Sequence, residues 1–341
     1  MASPAGVAAP RPRARLLASI TGTPGRAPRD VPEVGFRVDH DAGRVVWTVE
    51  GEDHTKAWLP PGLVGCRYSP AQLIAEMDYA GVGVALLHTD PTLGRDAAFQ
   101  RECVRAHPTR LRSMAPVDEW RIAADPDALA EEVTRAISGL GLHAVKFIPP
   151  LAYLGSEEPW DDGPYRPFWE AVAALQVPVF FTMGSGPRQL VAPQGADEAV
   201  SGYLAEQRVL MRWLERYPQI DCALTHGFPY RSFVEGTSIR LPPRVWEPFE
   251  SRRLRLEVCF AVRLGDLFDY PYAPTQPVLE DMLHRIGGAE RLMWGTDMPF
   301  QNRFCTYHQS RVSLEEHCGF LSDHERRQLL GGTAAAMLGL G

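Results

Sequence analysis

The 341-residue chain is almost without lysine: Lys56 and Lys146 stand against 33 arginines. Positive charge is carried by guanidinium groups nearly everywhere, so a lysine inside an apolar segment is a marked choice. Cysteine is sparse in pattern. Cys66, Cys103, Cys222, Cys259, Cys305 and Cys318 lie far apart with no C-x-x-C pair, which disfavours a zinc knuckle or a disulfide frame and suits reduced thiols in a cytoplasm. His-x-His does not occur anywhere. No apolar run reaches the roughly 20 residues that a bilayer-spanning helix needs, so no membrane partner is expected. Surplus positive charge is also lacking. A net charge of -7 argues against nucleic acid or an anionic membrane surface as the main partner.

What is present is the balance of a soluble globular protein, 45% hydrophobic and 23% charged. The length suits one large α/β barrel or two ordinary domains, and the reading taken is a single barrel domain over 1–341. Residues 1–30 carry five arginines and one acid, Asp30, and are expected to form a partly ordered arm. The arginine bias is read as that of a GC-rich bacterial genome.

From residue 69 the pattern alternates helix and strand. Ser69-Pro70-Ala71-Gln72 is a capping box with proline at the first helical position, and Gly81 closes that helix. Further helices are expected over 96–106, 125–140, 168–175, 198–217 and 278–286. Apolar strands are expected to end near 88, 117, 148, 182, 226, 259 and 297. Seven near-continuous apolar strands separated by helices imply parallel strands covered on both sides. Their even spacing favours a (β/α)₈ TIM barrel over a doubly wound sheet. The first strand must then precede residue 69. The stretch 35–50 alternates with period two around Asp41-Ala42-Gly43 and reads as a β-hairpin insertion, 34–50. That leaves ARLLASITG (14–22) as strand one.

In such a barrel the chemistry gathers at the carboxyl ends of the strands. The sequence there offers His88, Asp118, Glu119, Lys146, Thr182, His226, Glu257 and Asp297. Asp297, in RLMWGTDMPF (291–300), is followed by Met298 and by Pro299, which cannot extend a ladder. His226 follows an apolar strand and precedes Gly227. Lys146 lies within an apolar strand, where its pKa is tunable and it can hold a carboxylate or move a proton. Each has a plainer alternative: Asp297 as a turn starter, His226 as a core histidine on a carbonyl, Lys146 in a structural ion pair. Glu257 is flanked by Leu256 and Val258, so it needs a partner unless it opens into the barrel mouth.

RLMWGTDMPF, together with LSDHERRQLLGGTAAAMLGL (321–340), AEMDYAGVGVALLH (75–88), HAVKF (143–147) and LTHG (224–227), resembles the amidohydrolase-related barrels. That group includes aminocarboxymuconate-semialdehyde and resorcylate-type decarboxylases. The resemblance implies a TIM barrel, with Asp297 as the strand-eight aspartate and His226 as the strand-six histidine. It also implies a His-x-His pair on strand one and a histidine ending strand five. This chain has Ser19 and Thr21 near the first and Thr182 with Met183 at the other.

The expectation is an amidohydrolase-like enzyme without cofactor or bound metal. It would be a hydrolase or decarboxylase of a small carboxylated substrate. Asp297 and His226 would handle protons, while Lys146 and Arg303 would hold the carboxylate. A residual metal on His226, Glu257 and Asp297, a cyclase, dehydratase or isomerase, and a non-catalytic ligand-binding barrel stay open, as does homo-oligomerisation.

Overall fold

The computed structural model describes residues 36–39, 41, 44–49, 52–57, 59–60, 63, 68–88, 95–189 and 195–340. The expected arm, and the stretch 14–22 expected as strand one, lie outside the described residues. Three antiparallel strands come first: β1 (Phe36–Asp39), β2 (Arg44–Val49) and β3 (Glu52–Ala57). β1 and β2 pair with Phe36 opposite Trp47. β3, EDHTKA, has no apolar signal in its sequence and is a strand because its backbone completes the ladder of β2.

The barrel elements follow. Helix α1 (Pro70–Ala80) begins where Ser69 accepts the Gln72 N–H while the Gln72 side chain returns to the Ser69 N–H, and it stops where Gly81 takes a left-handed φ of 70°. Then come β4 (Ala85–Leu87), α2 (Ala97–Ala106) with Asp96 as its cap, β5 (Leu111–Ala115) and α3 (Pro126–Thr134). β6 (Ala144–Phe147), α4 (Arg166–Leu175), β7 (Val179–Phe181), α5 (Ala196–Arg216) and β8 (Cys222–Leu224) continue the cycle. A two-residue pair, β9 (Val234–Glu235) with β10 (Ser238–Ile239), interrupts it before β11 (Leu254–Val258), α6 (Gln276–Ile286), β12 (Leu292–Trp294) and α7 (Tyr307–Glu315).

β4, β5, β6, β7, β8, β11 and β12 pair in that order, every pair parallel. The two end strands, β4 and β12, both wall one cleft of about 540 Å³, so the sheet curls round on itself. The architecture is that of a TIM-barrel-like α/β fold. Among the described residues no helix is long and apolar enough to cross a membrane.

Strand alternation sorts the side chains. One set, Met114, Ala144, Phe180, Ala223 and Met293, packs into a single interior layer with Leu86 and Met337. The opposite set meets the helices, where Phe147 and Phe181 join Trp160, Phe168, Trp169 and Trp213. Trp213 is fully buried, 4.9 Å from the Phe181 ring and 5.2 Å from the Trp169 ring, both edge-on. We expect Trp213→Ala to cost about 3–5 kcal/mol of stability, because this rigid aromatic layer cannot collapse into the space. Chemical denaturation checks it; a cost below about 1 kcal/mol would show that the layer does not hold the helices to the sheet.

Candidate active site

The two-residue period that builds the apolar layer also builds the polar ring above it. Two residues beyond Leu86, Ala144, Phe180, Ala223 and Met293 come His88, Lys146, Thr182, Thr225 and Gly295. Glu257, paired in register with Met293, joins them from β11, its carboxylate lying against Gly295. Gly295 is required there: a Cβ on it would lie 1.8 Å from Glu257 Oε1, so its bare backbone makes room for that carboxylate.

Lys146 is buried, with Nζ 2.9 Å from Thr225 Oγ1 and 3.2 Å from His88 Nδ1. Thr225 Oγ1 also lies 2.6 Å from Thr182 Oγ1 and 3.0 Å from the Phe181 carbonyl. A hydroxyl has one proton and two lone pairs, which fixes the roles. Thr225 donates to the carbonyl and accepts from both Lys146 and Thr182. An ammonium only donates, so His88 Nδ1 is an acceptor and its proton sits on Nε2, 3.9 Å from Glu257 Oε1. Burial, then the Lys146 charge, then His226 hold the His88 imidazole well below its ordinary pKa, so it is neutral.

His226 and Asp297 are placed differently. His226 follows the inward-facing Thr225, and continued extended backbone would turn it towards the helices. A left-handed φ of 64° brings it back to the mouth, where Gly227 follows at 70°. Asp297 has φ 55°. Left-handed backbone costs a residue with a Cβ about 1–2 kcal/mol, and such strain collects at functional sites. His226 Nε2 stands 3.6 Å from Asp297 Oδ2, and the His88 and His226 rings are 5.7 Å apart. Glu257 Oε2 accepts the backbone N–H of His226, tying β11 to the strained turn. The Asp297 side chain has no solvent exposure, and neither of its oxygens accepts a hydrogen bond from a described residue.

Six of the expected residues, His88, Lys146, Thr182, His226, Glu257 and Asp297, thus gather at one mouth. Arg303 is near: burial lowers its guanidinium pKa while Asp297 and Asp266 pull it back up. Its Nε donates to the Phe300 carbonyl and its plane lies over Phe304. Asp118 and Glu119 are drawn elsewhere. Glu119 is buried, with one oxygen 2.7 Å from Arg95 and the other accepting the Ile148 N–H at 2.8 Å. Burial pushes its carboxyl up to about 7 against the pull of Arg95. Asp118 sits between Arg95 and Arg121. Glu119 ties the loop after β5 to the end of β6, and both acids hold Arg95.

Sequence reasoning passed over Thr225 and Arg263. Thr225 looked ordinary within ALTHG, though the alternation that selects Thr182 selects it too. Arg263 sits in FAVRL (Phe260–Leu264), a short helical turn after β11; a lone cation among apolar residues was the available signal.

A family profile described as amidohydrolase matches residues 64–340. The gamma-resorcylate decarboxylase of a Rhizobium sp. is 26% identical over 204 residues, spanning 52% of this chain and 58% of that relative. Among solved structures, the 2,6-dihydroxybenzoate decarboxylase from Rhizobium superposes with a TM-score of 0.59 at 19% identity, over 94% of this chain and 99% of that one. A dihydroxybenzoic acid decarboxylase from Polaromonas sp., solved with manganese and 2-nitroresorcinol, gives 0.54 at 21% identity, over 79% and 85%. At such identities the solved structures establish the fold alone.

The neutral, buried His88 generates a pH expectation. Its folded pKa is depressed, so below about 6.5 the unfolded chain binds a proton that the folded chain refuses. Stability should therefore fall as pH drops from 7 towards 5, and His88→Asn should flatten that part of the profile. Urea melts across this range on both proteins provide the check; parallel profiles would show that His88 does not titrate on unfolding.

Proposed function

Because the chain belongs to the amidohydrolase family, we propose that it is a carbon–carbon lyase acting without a divalent cation. It removes the carboxylate of a small carboxylated aromatic substrate. The observation that carries this reading is the buried Asp297 carboxylate, without a described hydrogen-bond donor and 3.6 Å from His226 Nε2. A buried charge so placed is costly unless a substrate or a water completes it. The curated relatives at about one-quarter identity, which are decarboxylases, support the choice of reaction.

Asp297 delivers a proton, received through His226, to the ring carbon that bears the leaving carboxylate. The electron pair of the breaking carbon–carbon bond then returns to the ring, and carbon dioxide departs. His226 passes a solvent proton back to Asp297, so the sum is carboxylate plus proton giving C–H plus carbon dioxide. Lys146, fixed by Thr225 and His88, supplies positive charge from a buried position, where electrostatic stabilisation is strongest. His88 offers its Nε2–H to a substrate oxygen, and Thr182, whose proton is spent on Thr225, offers lone pairs.

The manganese in the Polaromonas structure sets a test of fit, and what is seen among the described residues supports a site without it. Among the described residues no group of three or more His, Cys, Asp or Glu side chains is arranged to hold a metal ion. The end of β7 carries the hydroxyl of Thr182 where the resemblance implies a histidine. His88 has its Nδ1 engaged by an ammonium and a proton on Nε2, leaving no lone pair for a metal.

Two experiments test the reading. With 2,6-dihydroxybenzoate and 5-carboxyvanillate among the acids assayed, carbon dioxide release by Asp297→Asn should fall about 10²–10⁴-fold at nearly unchanged melting temperature. Unchanged turnover per folded molecule would remove Asp297 from the chemistry, and a hydrolase would consume substrate with no carbon dioxide released. Protein purified without added metal should contain well under one equivalent of manganese, zinc or iron, and keep its turnover in chelator. Stoichiometric metal, with activity lost on chelation and restored on readdition, would overturn the metal-independent part.

A further inference from the structure

Beside the Asp297 site lies a second, smaller cavity of about 90 Å³, lined by Thr182, Ser185, Gln189, Tyr203, Ser232 and Arg263 and reaching His226. That is room for several waters, and so for a carboxylate.

Its charge is unbalanced. Arg263 is only partly accessible, and its guanidinium makes no hydrogen bond or ion pair with a described residue; burial and the neighbouring Arg231 both lower its pKa. Arg231 is no partner. It donates to the Arg263 carbonyl through Nε and pairs with Asp266. Asp266 is thereby occupied, and Asp297 is the carboxylate left to balance both Arg263 and Arg303. A desolvated guanidinium that shares its one remaining carboxylate with a second arginine leaves a place for an anion.

The other lining groups suit the same guest. The Tyr203 oxygen accepts the Gln207 side-chain N–H at 3.5 Å, so its own O–H remains to donate. Gln189 Oε1 is already engaged, accepting the Ser185 N–H. The cavity thus presents a guanidinium fork and a phenol proton.

We propose that this cavity receives a second anionic group of the substrate, a carboxylate that does not react, held by Arg263 and Tyr203. The inference rests on the decarboxylase reading for the reacting group only. Arg263 suits a spectator rather than the departing carboxylate, because a guanidinium clamped on the leaving group stabilises the ground state and opposes loss of its charge. The substrate class is therefore an aromatic acid with two anionic substituents. One lies over Asp297 and His226, and the other sits beyond Thr182.

Calorimetric titration with isophthalate and benzoate on the whole protein tests this without turnover. Isophthalate should bind the native chain more tightly than benzoate. Arg263→Gln should weaken isophthalate about 10- to 100-fold while leaving benzoate nearly unchanged, the range expected for charged hydrogen bonds. Tyr203→Phe should give a smaller loss of the same selectivity, and Arg263→Lys should restore part of it, guarding against a merely misfolded Gln variant. Equal affinity for the two acids, or a preference that survives Arg263→Gln in folded protein, overturns the proposal. A dicarboxylate preference that depends on Arg263, with no carbon dioxide released from any acid assayed, would instead sink the decarboxylase reading and leave the anion site standing.

Discussion

The parity of the parallel strands is the constraint on which this molecule depends. A side chain facing the barrel interior is followed two residues later by another, about 6.6 Å nearer the mouth at the usual strand rise. Met114, Ala144, Phe180, Ala223 and Met293 fill the lower level with apolar volume. The upper level must then accommodate His88, Lys146, Thr182, Thr225 and Glu257 together, and none of them can be satisfied alone. Lys146 needs Thr225 and His88, Thr225 needs the Phe181 carbonyl, and Glu257 fits because residue 295 has no side chain. The ring is a network of mutual obligation, which is why it is rigid enough to fix a histidine tautomer.

His226 escapes parity, and it meets Asp297, which keeps the inward parity of Met293 and Gly295. His226 and Asp297 adopt left-handed backbone at the ends of β8 and just beyond β12, which aims the imidazole and the carboxylate at one another across the mouth. The ring below tolerates the strain because Glu257 holds the His226 N–H in place. A rigid polar ring supporting a strained acid–base pair suits proton transfer to a bound molecule, since little reorganisation is needed when charge moves.

Electrostatically the mouth is divided. On one side stand a lysine and a neutral histidine. On the other, Arg231, Arg263 and Arg303 outnumber the acids close to them. The first arrangement favours charge developing on the reacting part of a guest, and the second favours an anion already present.

The sequence by itself determined the order of the strands, the helix cap at Ser69, and the level at which Lys146, His226 and Asp297 emerge. These are local properties: apolar run length, a proline that cannot pair, a serine three residues before a glutamine. Only the tertiary structure decided which strand-end groups work together. Asp118 and Glu119 carry the same local signal as Asp297, yet Arg95, 24 residues before Glu119, draws them into a structural brace. Arg263 looked like part of an apolar turn, and its isolation becomes visible only once Arg231 and Asp266 have paired beside it. β3 had no hydrophobic period to announce it and exists because β2 had a free edge. The physical reason is the same in each case: chain-local patterns specify which face a residue occupies, whereas the partner of a charge is chosen by distance in space, across separations that no window along the sequence spans.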